Sequence, residues 1–505
     1  MSRIITVFCL IWFLTGIYFF GSVGLQNSGD SPQYSLAKSI VESRSLYIDD
    51  SIDLSWPDVA KFGDHFISGR SPGESFLIIP FFWISTKLKH LTVSPYNGHH
   101  PGINETSALE AASAIGVSLF GALSAYFVFL ISRNILNSSL FSSFMASVSF
   151  ALGSLIWKYS SSFFRHPPNV FFILLSTYYF LKIIQKKNSL KNLTCLGIGL
   201  GGSILTDPTS IVFVSIASAT TILILFSSSK PSRLSYAFYL VMLISLINLP
   251  QLVYNQKLFG GYLKSGWENQ VKNTWLVDKN LTFSSPFLPS LYTNLFSPNQ
   301  PIKPKSLSTH PGFSNQIKFE QGYKYALTYP YKGIFFQSPF LFLIFFSIIK
   351  HKKIFTFSVT LALLSILFSI KYLVYYSPNS YDTRFFIPAV AILSPLLSSS
   401  LDYIFSLKRK LIRLWLILFS FTLILVSWIV NFISTVENFA PHITGEKRMV
   451  FSTTLFSDFP INNLFVQFFP NIYNYKVLLV YILISLVFLI AYILFDTKKN
   501  LSTSD

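Results

Sequence analysis

Apolar runs of about 17 residues or more leave a chain few folds, because hydrocarbon offers no partner for backbone N–H and C=O groups and only helices satisfy them within one segment. Such runs recur here near 4–25, 108–131, 139–157, 168–184, 193–206, 210–228, 234–254, 333–349, 354–373, 384–406, 412–434 and 477–495. They predict an all-α polytopic membrane protein with about twelve transmembrane helices. The weakest pair, 193–206 and 210–228, is parted only by "TDPT". Fusing the two into one helix would invert everything upstream relative to everything downstream. The run "SFLIIPFFWIS" at 75–85 is too short to span and contains Pro80, so it is expected to lie in the membrane interface. The first run exceeds the usual apolar core of a signal peptide and has no small-residue cleavage site after it, which reads as an uncleaved first span.

The charges orient these spans. The chain is 51% hydrophobic and 12% charged with a net charge of +18, a balance that would suggest nucleic acid if the cations formed one stripe. They form short clusters instead, at Lys182/Lys186/Lys187/Lys191, Lys230/Arg233, Lys350/Lys352/Lys353, Lys408/Arg409/Lys410/Arg413 and Lys498/Lys499, each beside the end of an apolar run. By the positive-inside rule these mark the cytoplasmic face of a multi-pass protein of the cell membrane, with both termini cytoplasmic. Residues 26–107, 158–167, 255–332, 374–383 and 435–476 then fall outside. No Gly/Ser linker, repeat or long polar tail divides the chain, so residues 1–505 are expected to form a single transmembrane domain with sizeable external loops at 26–107, 255–332 and 435–476. The two cysteines, Cys9 and Cys195, suggest neither a disulfide framework nor a zinc site.

The first external loop carries the densest chemistry. In "GDSPQYSLAKSI", at 29–40, Ser31 suits a helix cap and Pro32 a first helical residue. Tyr34, Ala37, Ile40 and Val41 then recur at helical spacing, with Gln33, Lys38 and Glu42 opposite. Such a helix is expected to lie along the outer membrane surface, with Asp30 at the boundary between hydrocarbon and water. Taken alone, Asp30 also fits a simple complement to the helix dipole. The loop continues with further acids, a Gly-Asp turn at Gly63-Asp64, and Arg70 ahead of Ser71-Pro72-Gly73.

These residues, in this order, resemble the GT-C superfamily of glycosyltransferases that use polyprenyl-phosphate sugars, in particular the branch of protein O-mannosyltransferases and lipid A aminoarabinose transferases. That family has a first span, an Asp followed by a helix, and a basic residue beside a proline-containing turn. Three further stretches are similar to family motifs: "YNQKLFGGYLKSGW" at 254–267, "YPYKGIFFQSPFLFL" at 329–343 and "YDTRFFIPAVAIL" at 381–393. The resemblance implies a polyprenyl-phosphate sugar donor, a protein, lipid or glycan acceptor, membrane lipids as surroundings and no nucleic acid. The chain departs from the family in two places. It has Asp30-Ser31 where many relatives carry paired acids, and "KYSSSFFRHPPN" at 158–169 offers no carboxylate, so a second carboxylate would have to come from Asp49, Asp50, Asp53, Asp58 or Asp64. No cofactor is expected; without a DxD motif among these acids a metal requirement has no support, and a divalent cation stays open.

Release of a phosphate leaving group needs no protonated acid, which leaves two tasks. Asp30 is the candidate base for the acceptor hydroxyl or amine. Arg70, Arg384, Arg165 and His166 are the candidates for holding the donor phosphate. Each also fits a plainer reading: Arg70 and Arg384 as interfacial cations, Arg165-His166 as a polar turn. Asp207 in "LTDPTS", with Asp64, is a possible second polar site, and Asp207 fits a helix cap equally well. The expected activity is transfer with inversion on the extracytoplasmic side. The alternative is a transporter or flippase of lipid-linked saccharides, which would favour ionisable or Gly/Pro-broken positions deep in paired spans.

Overall fold

In the computed structural model, residues 2–21, 31–55, 59–87, 114–185, 189–227, 233–271, 287–296, 333–371 and 384–436 are described. Asp30 and Asp58, the expected span at 477–495, the loop beyond residue 436 and the segment 374–383 lie outside them.

The described part of every expected span from 4–25 to 412–434 is mainly helical. The long elements are α1 (Ser2–Phe20), α2 (Ser31–Glu42), α3 (Gly73–Lys87), α4 (Ile115–Asn134), α5 (Leu140–Gly153), α6 (Ile156–Ser160), α7 (His166–Ile184), α8 (Leu190–Thr206), α9 (Ile211–Phe226) and α10 (Arg233–Phe259). They continue with α11 (Ile348–Lys371), α12 (Ile387–Leu393), α13 (Leu396–Phe405) and α14 (Lys410–Val436). By length and composition, five helices among the described residues can cross a membrane, or six if the bent pair α12–α13 counts as one span. About twelve were expected. Among the described residues the difference lies in short elements such as α5 and in spans that are broken; the span expected at 477–495 lies outside them.

The breaks have local causes. Pro395 has no N–H and its ring crowds the preceding turn, so α12 and α13 meet at 46°. The run at 333–349 is a helical turn, Ile334–Gln337, followed by a 3₁₀ stretch, Pro339–Ser347. Ser338 between them is non-helical (φ −132°, ψ 68°). Two side chains of α14 satisfy the backbone freed there: Ser427 Oγ accepts from the Phe340 N–H at 3.0 Å, and Asn431 Nδ2 donates to the Gln337 carbonyl at 2.7 Å. Next to this stretch, His351 is non-helical within α11, at the Lys350/Lys352/Lys353 cluster that was expected to separate two spans. The weak pair also separates, since α8 ends at Thr206 and Asp207 is extended (φ −144°, ψ 107°). A residue before proline is driven to that region.

Burial sorts the helices. The apolar window of α7 is 78% buried, which makes it the centre of the bundle, whereas that of α10 is 11% buried and faces outward. α7 packs on α8 at very close range. A Cβ at Gly199 would stand 2.7 Å from the Ser176 nitrogen and 2.8 Å from the Phe172 carbonyl oxygen, both backbone atoms of α7. Small residues allow this approach where no hydrophobic effect drives helices together. Replacing Gly199 by Val is expected to lower stability by about 1–3 kcal/mol, since only a shift of the whole helix could relieve the contact. Thermal unfolding of the detergent-solubilised protein would show it, with Gly199→Ala less affected.

The first loop is not wholly helical, which corrects the all-α expectation. Val59–Phe62 (β1) and His65–Ser68 (β2) form an antiparallel hairpin in register Val59↔Ser68 to Phe62↔His65. Gly63 has φ +58° at its two-residue turn. Asp49 holds the hairpin through the His65 ring nitrogen Nδ1 at 2.8 Å and the Phe66 N–H at 2.6 Å. The hairpin also pairs with the segment after α10: Ala60 bridges Gln270, and the Val271 N–H donates to the Val59 carbonyl at 3.2 Å. Leu36, Ile48, Val59, Ala60 and Ile67 bury against Tyr254, Leu258 and Phe259 from the end of α10. Parts of 26–107 and the end of α10 thus share one core at one end of the bundle.

α2 also differs from expectation. Its first two turns, Ser31 to Ala37, are buried, including Gln33 on the face expected to be polar. The polar groups there bond to protein: Ser75 Oγ of α3 donates to the Gln33 carbonyl at 2.8 Å, and the Ser35 and Ser55 hydroxyls are 2.8 Å apart. Polar spacing in this helix therefore marks contact with α3 and its neighbours as much as with water. The run at 75–85, expected in the interface, is helical within α3, with Pro80 inside it and Ile78 and Phe82 buried.

Candidate functional site

Three separate segments converge at this end of the bundle. The first is the turn after the hairpin, where β2 leads through Gly69 into Arg70-Ser71-Pro72 and α3. The half-buried Arg70 donates its backbone N–H to Ser68 Oγ at 3.2 Å. Gly73 then sits so tightly on the end of α8 that a Cβ would overlap the Leu205 carbonyl oxygen at 1.8 Å. Any side chain at that position would push the Arg70 turn off α8.

The second segment runs from α6 to the start of α7. Pro167 and Pro168 occupy the first turn of α7, where their missing N–H groups cost nothing and their fixed φ suits the helix. Arg165 and His166 are therefore fixed immediately ahead of a rigid turn, and both are buried. Arg165 Nε lies 3.1 Å from Asp207 Oδ2, in an ion pair whose side chains are 9% and 7% exposed. The His166 ring meets Tyr159 edge-on at 5.2 Å, stacks towards Phe164 at 6.1 Å, and meets Phe385 edge-on at 6.2 Å.

The third segment is the 3₁₀ turn Arg384–Phe386 that opens α12. The Arg384 guanidinium lies over the ring of Phe164 at 5.6 Å and that of Phe385 at 5.3 Å. Two aromatic faces hold the cation while leaving its edge N–H groups available. Arg165, Arg384 and Arg70 all lie near enough to act on His166, so three arginines and one histidine, from three segments, occupy one neighbourhood. Guanidinium groups brought together in this way suit the planar, bidentate recognition of a phosphate.

Each sequence candidate within the described residues can be placed. Arg70, Arg165, His166 and Arg384 come together, and Asp207 joins them through Arg165. Asp64 does not: it is exposed at the hairpin tip, at the opposite end of β2 from Arg70. Asp49 is occupied by the hairpin, and Asp50 and Asp53 are exposed. Asp30 is outside the described residues, yet both of its described flanks abut the second segment. At the end of α1, a Cβ on Gly21 would lie 3.5 Å from Ser161 Oγ, and the Tyr34 ring meets Phe163 at 5.2 Å.

Two residues escaped the sequence reading. Lys158 on α6 is 2% exposed and Glu74 in the first turn of α3 is fully buried, both on the segments that build the site. An ionisable group in an apolar stretch such as "SLIWKYSSSFF" is itself a signal of function. Among the described residues, no three His, Cys, Asp or Glu side chains gather as metal ligands would.

Comparison with known proteins bears on this site. Residues 106–254, less than half of the chain, match the sequence model of the dolichyl-phosphate-mannose-protein mannosyltransferase family. That stretch contains Lys158, Arg165, His166 and Asp207. No curated protein matches the chain. Among solved structures, the protein O-mannosyltransferase complex Pmt1–Pmt2 of S. cerevisiae, bound to its sugar donor, is 17% identical with a TM-score of 0.36, over 54% of this chain and 37% of that one. The Archaeoglobus fulgidus oligosaccharyltransferase AglB, in complex with an inhibitory peptide and a dolichol-phosphate, is 10% identical with a TM-score of 0.44, over 85% and 56%. ArnT from Cupriavidus metallidurans, bound to undecaprenyl phosphate, is 10% identical with a TM-score of 0.44, over 86% and 71%. The chain thus spans between about a third and three quarters of the length of these structures. The family match is thus confined to residues 106–254, and it says what that stretch, with Lys158, Arg165, His166 and Asp207, is similar to.

Proposed function

We propose that the protein is a membrane glycosyltransferase that moves a sugar from a polyprenyl-phosphate donor to an acceptor on the extracytoplasmic side, with inversion. The observation that carries this reading is the meeting of Arg70, His166 and Arg384, drawn from three segments, at one end of a multi-pass bundle. In a single displacement the acceptor oxygen or nitrogen attacks the anomeric carbon as the bond to the phosphate oxygen breaks. Polyprenyl phosphate leaves with the bonding electrons, and the acceptor's proton passes to the Asp30 carboxylate. Attack opposite the leaving group inverts the anomeric centre. The cations offset the charge that accumulates on the phosphate as the bond lengthens. The positive-inside pattern supports a cell-membrane protein with cytoplasmic termini and this site outside.

The test is to incubate the full-length protein in proteoliposomes with a panel of polyprenyl-phosphate sugars and candidate acceptors, and to follow polyprenyl phosphate released. The expected result is time-dependent release coupled to appearance of the sugar on an acceptor. Passage of intact lipid-linked saccharide between leaflets, with no release, would replace this reading by the flippase.

A further inference from the structure

The ion pair between Arg165 and Asp207 has a role of its own. Arg165, a candidate phosphate ligand from sequence, faces a carboxylate at 3.1 Å instead of standing open, and both residues are more than nine-tenths buried. Neither oxygen of Asp207 is idle. Oδ1 accepts from the Thr209 N–H at 3.1 Å and from Thr209 Oγ1 at 2.8 Å, while Oδ2 faces Arg165. A carboxylate so occupied is poorly suited to take a substrate proton.

Asp207 is also anchored from both sides. Its N–H donates to the Ser203 carbonyl at 2.9 Å at the end of α8. Across the same junction Asn169, in the first turn of α7, donates through Nδ2 to the Ser203 carbonyl at 2.9 Å and to Ser210 Oγ at 2.7 Å. The turn from Leu205 to Ser210 is therefore a fixed point against which both the Arg70 turn, through Gly73, and the start of α7 are set.

We propose that Asp207 is a positioning residue of the site: by pairing with Arg165 it fixes the start of α7, and so holds His166 against Arg384, without taking part in proton transfer. This rests on the transferase reading and adds a residue to it. Cap and ion pair can be separated by experiment. Asparagine keeps an oxygen to accept from Thr209 but cannot neutralise Arg165.

In the proteoliposome assay, Asp207→Asn is expected to raise the KM for the polyprenyl-phosphate sugar about 10-fold, with kcat and the acid limb of the pH–rate profile little changed. Arg165→Gln should do the same, and the double variant should be no worse than either single, because no lone buried charge then remains. Asp207→Glu should recover part of the affinity. A kcat that falls about 100-fold at unchanged KM, or strictly additive single effects, would overturn the proposal. So would an Asp207→Asn protein indistinguishable from an active wild type. A wild type that transfers no sugar from any donor would instead overturn the transferase reading, and the proposal with it.

Discussion

Replacing Asp30 by Asn is expected to lower sugar transfer about 1,000-fold, the middle of the range for loss of a general base, while leaving affinity for the lipid donor intact. Asparagine matches the shape of aspartate and can still accept a hydrogen bond, so a fold or cap effect would be small. It cannot take the acceptor's proton. The rival account, a carboxylate that only complements the dipole of α2, predicts a stability loss of about 0.3–1 kcal/mol and an unchanged rate. Single-turnover transfer measured beside donor binding separates the two, and a rate within about threefold of wild type would remove Asp30 from the mechanism.

Arg384 should give the second large effect. Removal of one preorganised donor to a developing anion typically costs about 100- to 1,000-fold in rate, and Arg384→Ala is expected to lose that much in kcat/KM for the donor. The lysine variant tells more. Lysine keeps the charge but not the flat guanidinium that lies over Phe164 and Phe385 at 5.6 and 5.3 Å. About 10-fold loss is expected of Arg384→Lys if planarity matters, and near wild-type activity if charge alone does. Steady-state kinetics with donor varied at saturating acceptor would distinguish these outcomes.

The helices of this protein were legible because a long apolar run has almost no other fate in a membrane. The same logic caught the short polar break at Asp207-Pro208, where proline dictates the backbone of the residue before it. What the runs did not convey is how a span is interrupted from within. The 3₁₀ stretch Pro339–Ser347 is stabilised by Ser427 and Asn431, which stand roughly ninety residues away in sequence. The hairpin at Val59–Ser68 was hidden for a different reason: each strand has four residues, too few for alternation to register, and its edge partner is Gln270.

For the site, the residue types were readable and their pairing was not. Arg70, His166 and Arg384 announce themselves as basic residue types beside motifs, and the structure gathers them. That Arg165 is partnered by Asp207, across a whole antiparallel helix pair, is tertiary information that no local pattern holds. Glu74 shows the converse. In a loop rich in exposed acids nothing in its own neighbourhood singles it out, yet packing of α3 leaves it with no solvent exposure.

The bridge between Ala60 and Gln270, with the bond from Val271 to Val59, constrains anyone who would engineer this protein. A chimera that imports a foreign hairpin while retaining the native stretch at 266–271 would break a seam between two halves that must be cut to match. A replacement for either stretch would have to travel as both pieces together.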